Sequence, residues 1–278
     1  MLISLAVTGC STIAPALTAP ERTQAIEASK YATSLFNRGD YAEAAAQYKR
    51  ALLLERSIEN EEGIAVNLIN LSIVLQRMGD NAAALSSLAQ IINDRLLQFP
   101  AGRVAEAAFR TAVIMSETGD VKGASVALQL AREKCPPSGC VLAGKLLNVQ
   151  AQLSSLDKDF AGALTLATQA LEVNRRQGDS AEEANSLRLL GAALLELGSS
   201  DAAQKVILEA LAIDKSLLQA HKIMRDLSLL GRVASSKGAV NEAAVYYQRA
   251  IAVASAAGDR QTVAHLEQLV KGLLAGGR

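Results

Sequence analysis

A two-residue turn signal recurs along the chain at a nearly fixed interval: Gly39-Asp40, Gly79-Asp80, Gly119-Asp120, Lys158-Asp159, Gly198-Ser199 and Gly238-Ala239, spaced 40, 40, 39, 40 and 40 residues apart. This period restricts the fold more than any single motif does. A unit of this length cannot bury its own apolar face and has to stack on copies of itself. Each turn has a physical reading: glycine adopts the left-handed conformation that closes one helix, and the Asp or Ser after it can accept hydrogen bonds from the free amides that open the next. Gly178-Asp179 and Gly258-Asp259 repeat the device at two junctions between units.

Small residues keep the same register. Seven residues before each turn stand Ala32, Ser72, Ala112, Ala151, Gly191 and Gly231; five after it, Ala44, Ala84, Ala124, Ala163, Ala203 and Ala243; twelve after it, Ala51, Ile91, Ala131, Ala170, Ala210 and Ala250. Small side chains there let two antiparallel helices approach closely. Bulky residues nine after the turn, such as Tyr48, Leu88, Leu128, Ile207 and Tyr247, fill the layer between repeats. The pattern resembles the tetratricopeptide repeat, best over Ala32 to Ala51 (ATSLFNRGDYAEAAAQYKRA) and Gly231 to Ala250 (GRVASSKGAVNEAAVYYQRA). Two departures matter. The period here is near 40 rather than ~34 residues, so each helix should be longer by most of a turn, and the chain has no Trp to begin the motif.

The resemblance implies an all-α, right-handed superhelical solenoid of about six helical hairpins. We expect helices over 24–38 and 41–57, 64–78 and 81–98, 103–118 and 121–134, 141–156 and 159–177, 180–197 and 200–215, and 219–237 and 240–257. A last helix over 260–274 should cap the stack through Val263, Leu266, Leu269, Val270 and Leu273. The solenoid domain should span 24–278. Its first helices would line a concave face, where function belongs.

The N-terminus carries an address. Val7-Thr8-Gly9-Cys10 resembles the bacterial lipobox, in which a peptidase cuts before the cysteine and its thiol takes a lipid. Residues 1–9 then read as the remnant of a signal peptide and 10–23 as the lipidated Cys10 with a polar, proline-containing tether. Ser11 after the cysteine, rather than Asp, favours the periplasmic face of the outer membrane. With Cys10 lipidated, Cys135 and Cys140 are the two thiols left in an oxidising compartment, and a structural disulfide is expected. Closing so short a loop would stabilise the fold by about 2 kcal/mol.

Twenty-eight Lys and Arg against 28 Asp and Glu give no net charge and no footprint for nucleic acid. Two His and three Cys, with none of the known metal or nucleophile spacings, point away from a metal, a cofactor or catalysis. The Gly-Asp turns lack the Lys-Ser/Thr that a phosphate loop needs.

A protein or peptide partner in the concave groove is the remaining reading. Repeat register places Ile69, Ile73 and Phe109 on an apolar first half of the inner face, and Asn148, Gln152, Asn185, Arg188, Arg225 and Arg232 on a polar second half. The three arginines, flanked by amides, would suit an acidic or carboxylate-bearing segment. The Lys-Asn carboxylate clamp of some tetratricopeptide domains is absent. The expected role is a membrane-anchored periplasmic scaffold, serving assembly of a secretin, pilus or peptidoglycan complex. A cytosolic regulatory repeat protein without the anchor is the alternative, and a small-ligand binder or enzyme ranks below both.

Overall fold

The computed structural model describes residues 20–136 and 139–276. Cys10 and the lipobox-like segment lie outside the described residues. Within them the chain is all-helical, with thirteen helices: α1 (Pro20–Asn37), α2 (Tyr41–Ser57), α3 (Glu61–Arg77), α4 (Asn81–Ile92), α5 (Ala101–Glu117), α6 (Val121–Lys134), α7 (Ala143–Leu156), α8 (Phe160–Gln177), α9 (Ser180–Glu196), α10 (Ser200–Ser216), α11 (Ala220–Ser236), α12 (Val240–Ala256) and α13 (Arg260–Gly276). None of them is long and apolar enough to cross a membrane.

The turns end helices as their residues dictate. Gly39, Gly79, Gly119, Gly198 and Gly238 take φ between +71° and +85°, and Lys158 takes the same left-handed conformation at +63°. The residue after each then donates its amide to a carbonyl five positions back, as in Asp40 to Leu35 (3.0 Å), Asp80 to Leu75 (2.9 Å) and Ser199 to Leu194 (2.8 Å). Asp80, Asp120 and Asp159 also cap the following helix, accepting from Ala83, Gly123 and Gly162 amides at 3.0, 2.9 and 2.9 Å. Asp40 and Ser199 do not cap, contrary to the simple reading of the turn. Asp40 instead faces Arg38 at 3.4 Å.

Two boundaries differ from expectation. The first helix begins at Pro20 rather than 24, so residues 20–23 belong to α1 and not to a tether. Proline fits a first helical position because its missing N–H has no partner there, and Glu21 favours the positive end of the helix. The fourth helix stops at Ile92 rather than 98. Asn and Asp are weak helix formers because their side chains can compete for backbone hydrogen bonds, and from Asn93-Asp94 the chain stays irregular to Pro100, which opens α5 as its N-cap.

The chain divides into two compact units, one of residues up to 87 with 95–99, the other of 88–94 and everything from 100. In the first, α1 packs on α2 and α2 on α3. In the second, each helix from α5 to α13 packs on the next, and the first helices of successive hairpins also touch, α5 on α7, α7 on α9 and α9 on α11. Leu266 of α13 is buried, with Val270 and Leu273 against the same core, so this helix covers the last hairpin of its unit, although Leu269, expected on that face, is exposed. Cys135 and Cys140 stand as a disulfide-distance pair, Cα atoms 5.6 Å apart, against the core of α5, α6 and α7.

All eighteen positions of the small-residue register are buried, Ile91 included. Their tightness is measurable at Gly231, where an added Cβ would lie 2.6 Å from the Tyr247 ring. Gly231→Ala should therefore lower the melting temperature, equivalent to about 1–2 kcal/mol, although alanine is the better helix former. Gly272→Ala, with nothing within 4 Å of its Cβ, should be neutral or mildly stabilising; thermal unfolding of both variants checks the pair.

Candidate functional site

Most buried polar side chains follow a second register. Eight of the eleven buried polar residues described, with the half-buried Ser29, fall in three columns: ten residues before a turn, sixteen after it, and twelve before the next turn. The sets are Ser29/Glu55/Asn67, Asn148/Asn174/Ser186 and Arg188/Asp214/Asp226. The other three, Ser72, Ser87 and Ser116, bond to carbonyls of their own helices. Each set sits at a junction between hairpins, where the end of one second helix meets the next first helix. Two other junctions place apolar residues in those columns, Phe109/Cys135/Leu146 and, except for its serine, Ser228/Ala254/Leu266.

The α7–α9 junction is neutral. Ser186 Oγ donates to Asn148 Oδ1 at 2.8 Å and accepts from Asn174 Nδ2 at 2.9 Å, and Asn148 Nδ2 donates to the Glu182 carboxylate at 2.9 Å. The α9–α11 junction is charged. Arg188 Nε donates to Asp226 at 2.6 Å, a terminal guanidinium nitrogen donates to Asp214, and the other reaches Asn185 Oδ1 at 3.3 Å. Both carboxylates are fully buried and Arg188 is 6% exposed. One guanidinium serves two buried carboxylates, and one oxygen of each has no partner among the described residues. Burial, with the Asp214 carboxyl alongside and Arg188 only partly offsetting it, pushes Asp226 up to about 7.

Above this junction lies a cavity of about 540 Å³, walled by inner faces of α5, α7, α9 and α11 with Thr262 of α13. Its volume is that of a pocket rather than a crevice. Gln152, Asn185, Arg225 and Arg232 line it as the repeat register anticipates. Lys145 and Lys222 do too, and Arg110 and His221 add to the wall. Glu117 and Glu182 are its carboxylates. Lys222 Nζ donates to the Ala181 carbonyl at 3.3 Å, and burial lowers its pKa despite the neighbouring Glu182 and Asp214. Lys145 pairs with Asp179 at 3.2 Å, and exposed Arg232 with Glu196 at 2.5 Å.

Several sequence expectations need correction. Arg188 does lie in the cavity lining, but it is nearly buried there and the two carboxylates beneath it hold it as an anchor. Asn148 is consumed in the same way by Ser186 and Glu182. Ile69 is buried and Ile73 half-buried in the first unit, while Phe109 is a core residue of the second that also lines its cavity. Lys145 was missed, although it occupies the same column as Asn185 and Arg225, thirteen residues before a turn. Lys222 and Glu182 share another column, sixteen before it.

A family model for the tetratricopeptide repeat matches residues 24–95 and 142–216, together more than half of the chain. The chain belongs to the tetratricopeptide repeat family. Among solved structures, the Cut9 chain of the APC/C heterotetramer Cut9-Hcn1 aligns at TM-score 0.66 and 15% identity, over 92% of this chain and 43% of its own. This tetratricopeptide protein thus spans less than half the length of that one. A Rap protein complexed with Competence and Sporulation Factor aligns at 0.65 and 14% identity, over 93% of this chain and 76% of its own. The apo form of RapI gives 0.59 and 15%, over 77% and 78%. At these identities the likeness establishes the fold. No curated protein matches the sequence.

Charge stoichiometry at the α9–α11 junction of this repeat protein generates a test with a defined sign. The folded-state pKa of Asp226 lies above its unfolded value, so its contribution to stability is full below about pH 4 and lost as pH rises through about 7. Asp226→Asn leaves one carboxylate for one guanidinium. It should raise stability at pH 8 by about 1–3 kcal/mol and flatten the difference from wild type below pH 5. Arg188→Ala should cost about 3–5 kcal/mol at pH 8, because it strands two buried carboxylates. Urea unfolding between pH 4.5 and 8.5 reads both.

Proposed function

We propose that this tetratricopeptide protein is a non-catalytic adaptor of the bacterial envelope whose second unit holds an acidic, carboxylate-bearing protein segment in the cavity bounded by α5, α7, α9 and α11. One observation carries the reading. Five basic side chains, Arg110, Lys145, Lys222, Arg225 and Arg232, line that cavity with two carboxylates, Glu117 and Glu182; Lys145 also pairs with Asp179, Arg232 with Glu196, and Arg188 beneath with Asp214 and Asp226. Such an excess in a partly desolvated concavity suits charge-assisted bonds to carboxylates. Gln152 and Asn185 supply amides that can bond a peptide backbone. A neighbour of the same fold forms a complex with Competence and Sporulation Factor, which supports an interaction role over a chemical one.

In this proposal the protein is tethered to the periplasmic face of the outer membrane by a lipid on Cys10, and the captured segment belongs to a secretin, pilus or peptidoglycan assembly. Support comes from the lipobox-like Val7-Thr8-Gly9-Cys10 and from the Cys135–Cys140 pair, which suits an oxidising compartment.

The groove is tested on the full chain with Lys222→Ala/Arg225→Ala/Arg232→Ala, leaving Arg188 intact. Fluorescence anisotropy with labelled Asp- and Glu-rich peptides should show roughly 10–100-fold weaker binding than wild type, and wild-type affinity should fall as salt rises. Unchanged affinity, or equal preference for Lys-rich peptides, would sink the reading. For the anchor, cells fed labelled palmitate should incorporate it into the wild type and not into Cys10→Ala, which should leave the membrane fraction; a variant equally membrane-bound and labelled would refute it.

A further inference from the structure

The first hairpin junction uses the same three columns as the charged one, yet lacks a member. At α9–α11, Arg188 donates to Asp214 and Asp226. In the first unit these places hold Ser29, Glu55 and Asn67. Glu55 and Asn67 are each 3% exposed, nearly as deep as their counterparts, but a serine is too short to bring a donor to them. Glu55 accepts from Asn60 Nδ2 at 2.6 Å and, among the described residues, is met by no cation. Asn67 Nδ2 donates to the Gly63 carbonyl at 2.8 Å, while its Oδ1 has no partner among the described residues.

The space where an arginine side chain would lie is open. A cavity of about 260 Å³ is lined by Ser29, Glu55, Asn60, Gly63 and Asn67, with exposed Arg22 and Lys30 also on its wall. It is smaller than pockets for drug-sized ligands and suits one side chain. Gly63 keeps it formed: a Cβ there would lie 2.3 Å from the Glu55 carboxyl carbon. Glu55 keeps one hydrogen bond, from Asn60, and no cation, and the buried Asn67 amide oxygen has no partner among the described residues, which is unfavourable for groups so deep.

We propose that this cavity binds a guanidinium group, supplied by an arginine side chain of a partner peptide or by a small guanidinium compound, which takes in trans the place that Arg188 fills in cis four repeats further along the sequence. Guanidinium suits the hole better than ammonium because its planar fork can donate two bonds to the Glu55 carboxylate, and because it is the more weakly hydrated cation. Arg22, Lys30 and Glu62 are the other charged groups at the cavity, and the two cations compete with the ligand for entry. The site is independent of the acidic-segment reading of the second unit.

Two-dimensional NMR titration of the full chain with N-acetyl-arginine amide, N-acetyl-lysine amide and the peptide Gly-Arg-Gly at constant ionic strength tests this. Both arginine probes should bind saturably with shifts at Glu55, Asn67 and Ser29, at least roughly tenfold more tightly than the lysine probe. Tighter binding of Gly-Arg-Gly identifies the source as a peptide, and equal binding a small molecule. Ser29→Arg should fill the hole from within, raising the melting temperature and abolishing the titration. Glu55→Gln should weaken binding at least roughly tenfold. Arg22→Ala/Lys30→Ala should bind more tightly. The proposal is overturned if neither arginine probe saturates, if lysine binds equally well, if Ser29→Arg still titrates, or if the double variant loses stability without gaining affinity, since the chain would then fill the site itself.

Discussion

Two helices can share a dry interface at close range only where neither places a bulky side chain at the crossing, and five of the six hairpins meet that requirement at the same three register positions, the second carrying Ile91 at one of them. Alanine, glycine and serine occupy seventeen of the eighteen, and all eighteen are buried. Such an interface has little tolerance for sliding. At Gly231 the Tyr247 ring would be 2.6 Å from a methyl group, and at Gly191 the Ile207 side chain would be 2.4 Å away. Close approach therefore fixes the register of one helix against its partner, and with it the places where every other side chain of the repeat must fall.

The polar junctions depend on that fixed register. Arg188, Asp214 and Asp226 come from three helices and converge only because each sits at a set distance from a turn. Replacing such a buried cluster by apolar residues is often neutral or stabilising, so its presence is poor evidence of stability as such. What differs between junctions is their chemistry: a charged set, an amide-hydroxyl set and apolar sets. A first helix carrying Asp226 matches the column that offers Arg188 and mismatches one that offers Phe109. This gives a repetitive chain a means of telling its own junctions apart.

The fold was legible in the sequence because turns and small residues act locally: glycine at positive φ ends a helix wherever it stands, and alanine at a crossing is small whatever faces it. Sequence and structure part where the boundary signal is weakest, at Pro20, a proline that suits a tether and a first helical turn alike, and at Asn93-Asp94, where the apolar pattern continues beyond the last helical turn. The candidate site was legible only as a face. Repeat register correctly brought Gln152, Asn185, Arg225 and Arg232 to one cavity. It could not separate Arg188 from them, because projection onto one helix omits Asp214, which arrives from the second helix of the hairpin. The spacing of 26 and 38 residues shared by the three polar sets is visible in the sequence, but it has meaning only once the stacking partner of each column is known.

That distinction decides how the groove should be probed. Arg188, Arg225 and Arg232 are chemically alike and lie within one patch of sequence, yet the first neutralises buried carboxylates while the other two are exposed at the cavity. Removing Arg188 strands Asp214 and Asp226, displaces Asn185 from a hydrogen bond and so disturbs the wall against which any ligand would lie. Lost binding in an Arg188 variant would report a damaged scaffold as readily as a lost contact. Removing Lys222, Arg225 and Arg232 leaves Arg188 paired with Asp214 and Asp226, so a change in affinity there, with the melting temperature unchanged, reports recognition. In a repeat protein the inward-facing charge that best matches a ligand on paper can be the one the fold has already spent.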